Sequence, residues 1–287
     1  MTSSDTAPPR HILVATDLSA QSGPAVARAA RLAARHGARL TAVFVAERGT
    51  DPELTAYAAR RLREHAEEHA TGLGAAPAET VVTEGRTAAR ILAEAEERGA
   101  GLLVVGAHGA HRLPEALVGS TAQNLVRASH CPVLVVRGPA TGEYRTVLLA
   151  VDTSRISLDA ARTGSALTPG ARHVLAHADI VPGEHLMVMR GAGEEALTEL
   201  RRVSTRRARA AIGELAAALD PAPAEIVVES GRPESALPAL SAGHGADLVV
   251  VGTGTHSKLG YVLLGSVAEH VIREAPADVL VVRGTRA

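Results

Sequence analysis

One glycine frame occurs twice in this chain, at the same depth in each half. Gly106-Ala107-His108-Gly109 is followed nine residues later by Gly119-Ser120-Thr121. Gly252-Thr253-Gly254-Thr255 is followed nine residues later by Gly265-Ser266-Val267. Gly85 and Gly231, Gly106 and Gly252, Gly119 and Gly265, and the runs 133–138 and 279–284 are all offset by 146. Asp17 of Ala-Thr-Asp-Leu-Ser and Asp152 of Ala-Val-Asp-Thr-Ser are offset by 135, so the second half carries eleven more residues after its first strand. The spacing puts them around Val181 to Thr198, where Gly183, Gly191 and Gly193 interrupt a helical pattern. A chain of 287 residues duplicated in this way reads as two domains of ordinary size. The expected divisions are a disordered leader over 1–9, a first domain over 10–140 and a second over 141–287, joined at the turn-rich Gly138-Pro139-Ala140-Thr141-Gly142.

Within each half, apolar runs alternate with helical patterns. The first half gives strands at His11 to Thr16, Leu40 to Val45, Glu79 to Thr83, Leu102 to Val105 and Pro132 to Val136. Helices are expected up to Arg35, from Pro52 to His69, from Thr87 to Arg98 and from Gly119 to Ala128. The second half repeats the strands at Val147, His173, Glu225, Leu248 and Asp278. Runs of Val and Leu without polar alternation belong to sheets covered on both faces. The predicted fold is therefore α/β: two tandem, doubly wound, five-stranded parallel sheets. With the order 3-2-1-4-5, the direction of winding reverses between strands one and four, where such sheets bind ligands. Asp17 and Gly106 end those two strands in the first half, and Asp152 and Gly252 in the second. Glycines there admit an anion to backbone N–H groups, and the following helix N-terminus adds a positive dipole end.

At these residues the chain resembles the universal stress protein family in its tandem, ATP-binding form. Gly106, Gly109, Gly119 and Ser120 match the family's Gly-x2-Gly-x9-Gly-Ser/Thr. Asp17-Leu18-Ser19, Asp152-Thr153-Ser154, Cys131 to Val136 and Gly265-Ser266-Val267-Ala268-Glu269 resemble it as well. The resemblance implies a Rossmann-like, adenine nucleotide alpha hydrolase-like fold that binds ATP, AMP or ADP, with Mg²⁺ as a candidate bridge between phosphates. Asp17 and the backbone of Val45 would face adenine and ribose. Gly106, Gly109 and Gly119 would offer backbone approach, and the Ser120 and Thr121 hydroxyls would reach phosphate. Asp152, Ala178, Gly252, Gly265 and Ser266 match them in the second half. Thr255 stands where the family's second glycine belongs, so the first site is expected to bind better than the second. The family also pairs domains through their last strands, implying a pseudo-dimer within the chain or a homodimer.

No catalytic set accompanies this cradle. The P-loop lysine, the His-x-Gly-His signature and Gly-x-Gly-x-x-Gly are all missing after strand one. The expected function is thus a nucleotide-binding regulatory protein of the stress response, not an enzyme; a weak ATPase or phosphotransfer protein is the alternative, and a ligand-free scaffold a third reading. His108 and His111 lack a third metal ligand of suitable spacing, so no metal site is expected. The Arg201, Arg202, Arg206, Arg207 and Arg209 cluster reads as a solvated face, and Cys131 as a buried thiol. Lys258, the chain's one lysine, is open between a phosphate contact and a surface role. A formal charge of −1 gives no general attraction to nucleic acid or anionic lipid. One cysteine, no apolar run long enough to span a bilayer and no secretory signal lead to a cytoplasmic expectation.

Overall fold

The computed structural model of the chain describes residues 7–109, 118–254 and 264–284. The first lobe runs β1 (His11–Ala15), α1 (Gly23–His36), β2 (Arg39–Ala46), α2 (Pro52–Ala70), β3 (Glu79–Glu84), α3 (Thr87–Glu97), β4 (Leu102–Gly106), α4 (Ser120–Ala128) and β5 (Val133–Val136). The second runs β6 (Thr146–Ala150), α5 (Arg155–Leu167), β7 (Arg172–Asp179), α6 (Glu184–Met189), α7 (Glu194–Ala216), β8 (Glu225–Ser230), α8 (Pro233–Gly243), β9 (Leu248–Thr253), α9 (Ser266–Glu274) and β10 (Asp278–Arg283).

Local signals explain most boundaries. Pro24 lies in the first turn of α1, where its missing N–H costs nothing, and Gly37 closes that helix in the left-handed conformation at φ 60°. Asp51 caps α2 by accepting from the Glu53 amide. Ser22 departs from expectation. It occupies the cap position of α1, but its hydroxyl pairs with Thr16 Oγ1 at 2.8 Å and donates to the Ser19 carbonyl. The cap residue thereby secures the turn leaving β1. The eleven extra residues of the second half are also more ordered than their glycines imply: they form α6 and lengthen α7, with Gly183 and Gly191 at positive φ on either side of α6.

The strands form one sheet in the order β3-β2-β1-β4-β5-β10-β9-β6-β7-β8. Each half therefore has the order 3-2-1-4-5 with parallel neighbours, and the halves meet through β5 and β10, which pair antiparallel with Leu134 opposite Leu280. This is the last-strand pairing implied by the resemblance, realised within one polypeptide. Alternate side chains of each strand enter two core layers that cross the seam. Ile12, Val14, Val147 and Leu149 pack with α1, α5 and α7; Leu13, Leu103, Val249 and Val281 pack with α3, α4 and α9. Burying each such side chain is worth about 1.5–3 kcal/mol. With one Phe and no Trp in the chain, alanines such as Ala25, Ala29 and Ala33 bring α1 close to the strands.

Polar groups lock the seam. Asp278 accepts from the Arg137 amide at 2.8 Å and from the Tyr144 hydroxyl at 2.6 Å, and lies 3.4 Å from Arg28 Nε. Arg28 also stacks over the Tyr144 ring and donates to the Gly142 carbonyl. Burial raises Asp278 above the ordinary carboxylate range, against the pull of Tyr144, the Arg137 amide and Arg28. A cavity of about 570 Å³ opens beside this network, lined by Arg28, Arg145, Glu143, Asp247 and Asp278. Its charges are of both signs, and Arg28 is already committed to groups of the protein.

No helix among the described residues is long and apolar enough to cross a membrane. Residues 1–6 of the expected leader lie outside the described residues, as do Ala110, His111, Arg112, Thr255 and Lys258.

Candidate functional site

β1 and β4 are adjacent and parallel, with Ala15 opposite Val105, so the chain segments leaving them start side by side. From β1 comes Asp17 and from β4 the segment Gly106 to Gly109. The two meet directly: a Cβ built on Gly109 would lie 2.6 Å from Asp17 Oδ2. Only a residue without a side chain fits against that carboxylate in this arrangement. Asp17 is oriented from the other side by Ser19, whose amide and hydroxyl donate to Oδ1 at 3.1 and 2.5 Å. Between them Leu18 has φ 63°, the one positive value at a non-glycine among the described residues. A left-handed leucine costs about 1 kcal/mol or more, and such strain gathers at functional turns.

These elements enclose a cavity of about 540 Å³, within the usual range for small-molecule sites. Asp17, Val45, Gly106, Gly109, Gly119, Ser120 and Thr121 all line it. The whole set expected in the first half is thus brought to one crevice. The structure adds Thr16, Ser22, Phe44, Glu47, His108, Thr87 and Ile91 to the lining. Of these, Phe44 carries a readable signal, being the only phenylalanine in the chain and lying next to Val45 at the end of β2. Thr87 and Ile91 belong to α3, and nothing in their spacing connects them to the glycine frame. His108 Nε2 is buried and has no hydrogen-bond partner among the described residues.

The cavity has a wet end and a greasy end. Phe44, Val45 and Ile91 supply apolar wall for a flat ring. At the other end α4 begins, with Gly119 at its cap and no acidic residue in its first turn. The Gly119 amide donates to the Ala107 carbonyl at 2.9 Å, which ties the helix start to the end of β4. The first intrahelical bond runs from the Gln123 amide to Gly119, so the amides of Ser120, Thr121 and Ala122 have no acceptor within the helix. Three donors without an intrahelical acceptor, at a positive dipole end, are what an anion site requires.

In the second lobe β6 and β9 are likewise adjacent, so Asp152 and Gly252 lie at neighbouring strand ends. Ala178 is buried near the end of β7, Gly265 caps α9 and Ser266 opens it. Their surroundings differ. The Gly265 amide donates to the Thr253 hydroxyl at 3.2 Å, not to a backbone carbonyl. The Ser266 hydroxyl donates to Glu234 Oε1 at 3.2 Å, and Glu269 sits in the first turn of α9. At the 146 offset the first lobe has Ala88 and Gln123 in place of these two carboxylates. Burial opposes ionisation of Asp152, but hydrogen bonds from Ser154 and Ser157 and the charge of His177 outweigh it and hold the carboxyl below its ordinary value.

Arg201, Arg202 and Cys131, also singled out in the sequence, do not line the crevice. Arg201 pairs with Glu184 and Glu194, and Arg202 with Glu199, on a solvated face. Cys131 bonds Ser129, and burial pushes its thiol up, away from the thiolate.

The universal stress protein family model matches residues 9–137 and again 143–283. A universal stress protein of Mycolicibacterium smegmatis is 33% identical over 298 aligned positions, covering 95% of this chain and 96% of its own. A crystal structure of a protein of unknown function from Pseudomonas aeruginosa PAO1 shares the fold at 22% identity and TM-score 0.65, covering 98% of this chain and 95% of its own. A universal stress protein solved in complex with cAMP matches 46% of this chain and 98% of its own at 30% identity and TM-score 0.39. The two family matches in register with the two copies of the fold settle the family: this chain belongs to the universal stress proteins, as two domains of that kind in one polypeptide.

Proposed function

We infer that the protein binds an adenine nucleotide in the crevice of its first lobe and acts by holding it, not by transforming it. The observation that carries this reading is the meeting of Asp17 with Gly109 in a cavity of about 540 Å³ whose lining includes the start of α4, where no acidic residue lies in the first turn. Adenine lies against Phe44, Val45 and Ile91. Asp17 accepts a hydrogen bond from ribose or from the base amino group, and the phosphates rest on the amides and hydroxyls of Ser120 and Thr121. ATP, ADP and AMP all fit this scheme, and a Mg²⁺ ion, held by phosphate oxygens and water, would supply charge neutralisation there. The second lobe binds the same ligand more weakly, because Glu234 already occupies the Ser266 hydroxyl and Glu269 adds negative charge in the first turn of α9.

Binding changes the free energy of the loops it orders, and those loops flank strands that continue into the seam. Occupancy therefore biases the packing of the two lobes, or of a dimer of chains, which is the form of a stress-responsive regulator. Asp17 is oriented by Ser19, and no hydrogen-bonded pair of base and nucleophile lines the cavity among the described residues, which supports holding over hydrolysis.

Calorimetry of the full chain with ATP and Mg²⁺ is the test. The expected result is one dominant site per chain, lost in Gly119→Val and little changed in Gly265→Val. Among the described residues a Cβ at Gly119 meets nothing closer than the Ala107 carbonyl at 3.5 Å, and an unchanged circular dichroism spectrum is the expected sign that the first variant folds and covers the helix start instead. Absence of binding in the wild type overturns the reading. Single-turnover assays decide against the weak ATPase if labelled ATP stays intact over hours.

A further inference from the structure

Outside the crevice, α2 carries a second group of chemistry-bearing side chains. His65, Glu68 and His69 each offer one ligand atom, and the three atoms lie within 4.8 Å of one another. Positions i, i+3 and i+4 share a helix face, and two histidines four apart are the pair that helical zinc sites use. The rings meet edge to face, with centroids 4.6 Å apart. His65 is 4% exposed, and its Nε2 has no hydrogen-bond partner among the described residues. A buried polar atom left unmade costs about 1–3 kcal/mol, so it calls for a partner. Burial, then the neighbouring His69, holds this imidazole below its ordinary value, in the neutral form that coordinates metal.

The second lobe shows that packing does not require the two histidines, while the carboxylate of the trio recurs there as Glu214. At the 146 offset, Ala211 replaces His65, Glu214 replaces Glu68 and Leu215 replaces His69. There Leu215 and Leu158 line the same small groove between α7 and α5. Leu158 corresponds, at the 135 offset, to Gly23, and a Cβ on Gly23 would come within 2.5 Å of His69 Nε2. The first lobe has thus exchanged an apolar contact for a histidine pair and opened space for it with a glycine.

We propose that His65, Glu68 and His69 bind a divalent transition ion of the Zn²⁺ class. Two imidazoles and one carboxylate form a recognised zinc donor set that leaves a fourth position open to water or a ligand. Imidazole ligands favour Zn²⁺, Cu²⁺ or Ni²⁺ over Mg²⁺, so this site is distinct from any phosphate-bridging ion. Bonds of about 2.0–2.1 Å bring tetrahedral ligand atoms to about 3.4 Å apart. The exposed Glu68 and the half-buried His69 close that gap by rotating, while His65 stays fixed in the interior.

The test is titration of the full chain with Zn²⁺ by calorimetry and with Co²⁺ by visible absorption. The expected result is one saturable site per chain with the intense band of four-coordinate cobalt. His69→Leu, which copies the second lobe, and Glu68→Gln each weaken it at least about tenfold, while the circular dichroism of the metal-free variants stays that of wild type. The chain has thirteen histidines, so binding unchanged in both variants assigns the ion elsewhere and overturns the proposal. So does the absence of saturable binding.

Discussion

The two lobes share strand order, glycine frame and seam geometry, yet the helix starts that face their crevices carry different charge. α4 opens with Ser120 and Thr121 beneath Ala88 and Gln123, and no carboxylate lies in its first turn. α9 opens with Ser266 already bonded to Glu234, and with Glu269 one turn along and paired to Arg127 across the seam. The second helix start is met by a carboxylate from within the protein; among the described residues the first is not. After duplication, the buried strands kept their Val and Leu because packing punishes any change of volume. Positions facing the crevice were free to diverge.

The largest test of this contrast puts a carboxylate directly on the open helix start. Ser120→Glu places a negative charge within a few ångströms of the bound phosphates. At 4 Å and an effective dielectric constant of about 20, like charges repel by about 4 kcal/mol, so calorimetry should register an affinity loss of about 100-fold or more. Ser120 is exposed at the first position of α4, where a glutamate suits the helix, so thermal stability should hold or rise. Unaltered ATP affinity would mean that the phosphates lie elsewhere.

A gentler version transplants the second lobe's own residue. Ala88→Glu recreates Glu234 in the first lobe, at the side of the anion end instead of on its axis, and should cost about tenfold, or about 1.4 kcal/mol. The reciprocal Glu234→Ala frees the Ser266 hydroxyl and should improve binding to the second lobe about threefold, because Glu269 remains in the first turn of α9. This gain is measured in the Ser120→Glu background, which silences the first site. Should the reciprocal change do nothing, Thr253 or residues 255–263 govern the second lobe rather than charge.

Much of this arrangement was legible in the sequence because a duplicated frame carries its own control. The offsets of 146 and 135 locate the strands, and unalternated Val and Leu runs give a parallel sheet. The reversal of strand order sets Asp17 and Gly106 at neighbouring strand ends, whereas the close approach of Gly109 to Asp17 is seen only in the structure. Contributions from elements distant in sequence were not legible. Thr87 and Ile91 reach the cavity only because α3 lies beside α4, and Glu234 reaches Ser266 for the same reason in the second lobe. The expected weakness of the second site rested on Thr255, which lies outside the described residues, whereas Glu234 and Glu269 supply an independent cause. The metal expectation looked beside the glycine loop, at His108 and His111. It passed over α2, where a three-and-four spacing reads first as an ordinary amphipathic helix.

The smallest predicted effect concerns the serine that follows the strand-end aspartate in each lobe, and is read at Asp152. Ser154 does two things in the second lobe: its amide donates to Asp152 Oδ1 at 2.8 Å, and its hydroxyl caps α5 by accepting from the Ser157 amide at 3.2 Å. Ser19 in the first lobe gives both its amide and its hydroxyl to Asp17 and caps nothing. Ser154→Ala should therefore cost about 1 kcal/mol for the lost cap, plus the part of the Asp152 stabilisation that depends on the hydroxyl. Because Asp152 ionises below its ordinary value, that second part is fully present above the unfolded value of 3.8 and is lost as pH falls through the folded one. Asp152 is exposed, so solvent screening keeps the contribution small. The difference in melting temperature between wild type and Ser154→Ala should thus be greatest near neutrality and shrink towards the cap-only value in acid. A gap that widens on acidification would show that the hydroxyl does not favour the Asp152 carboxylate.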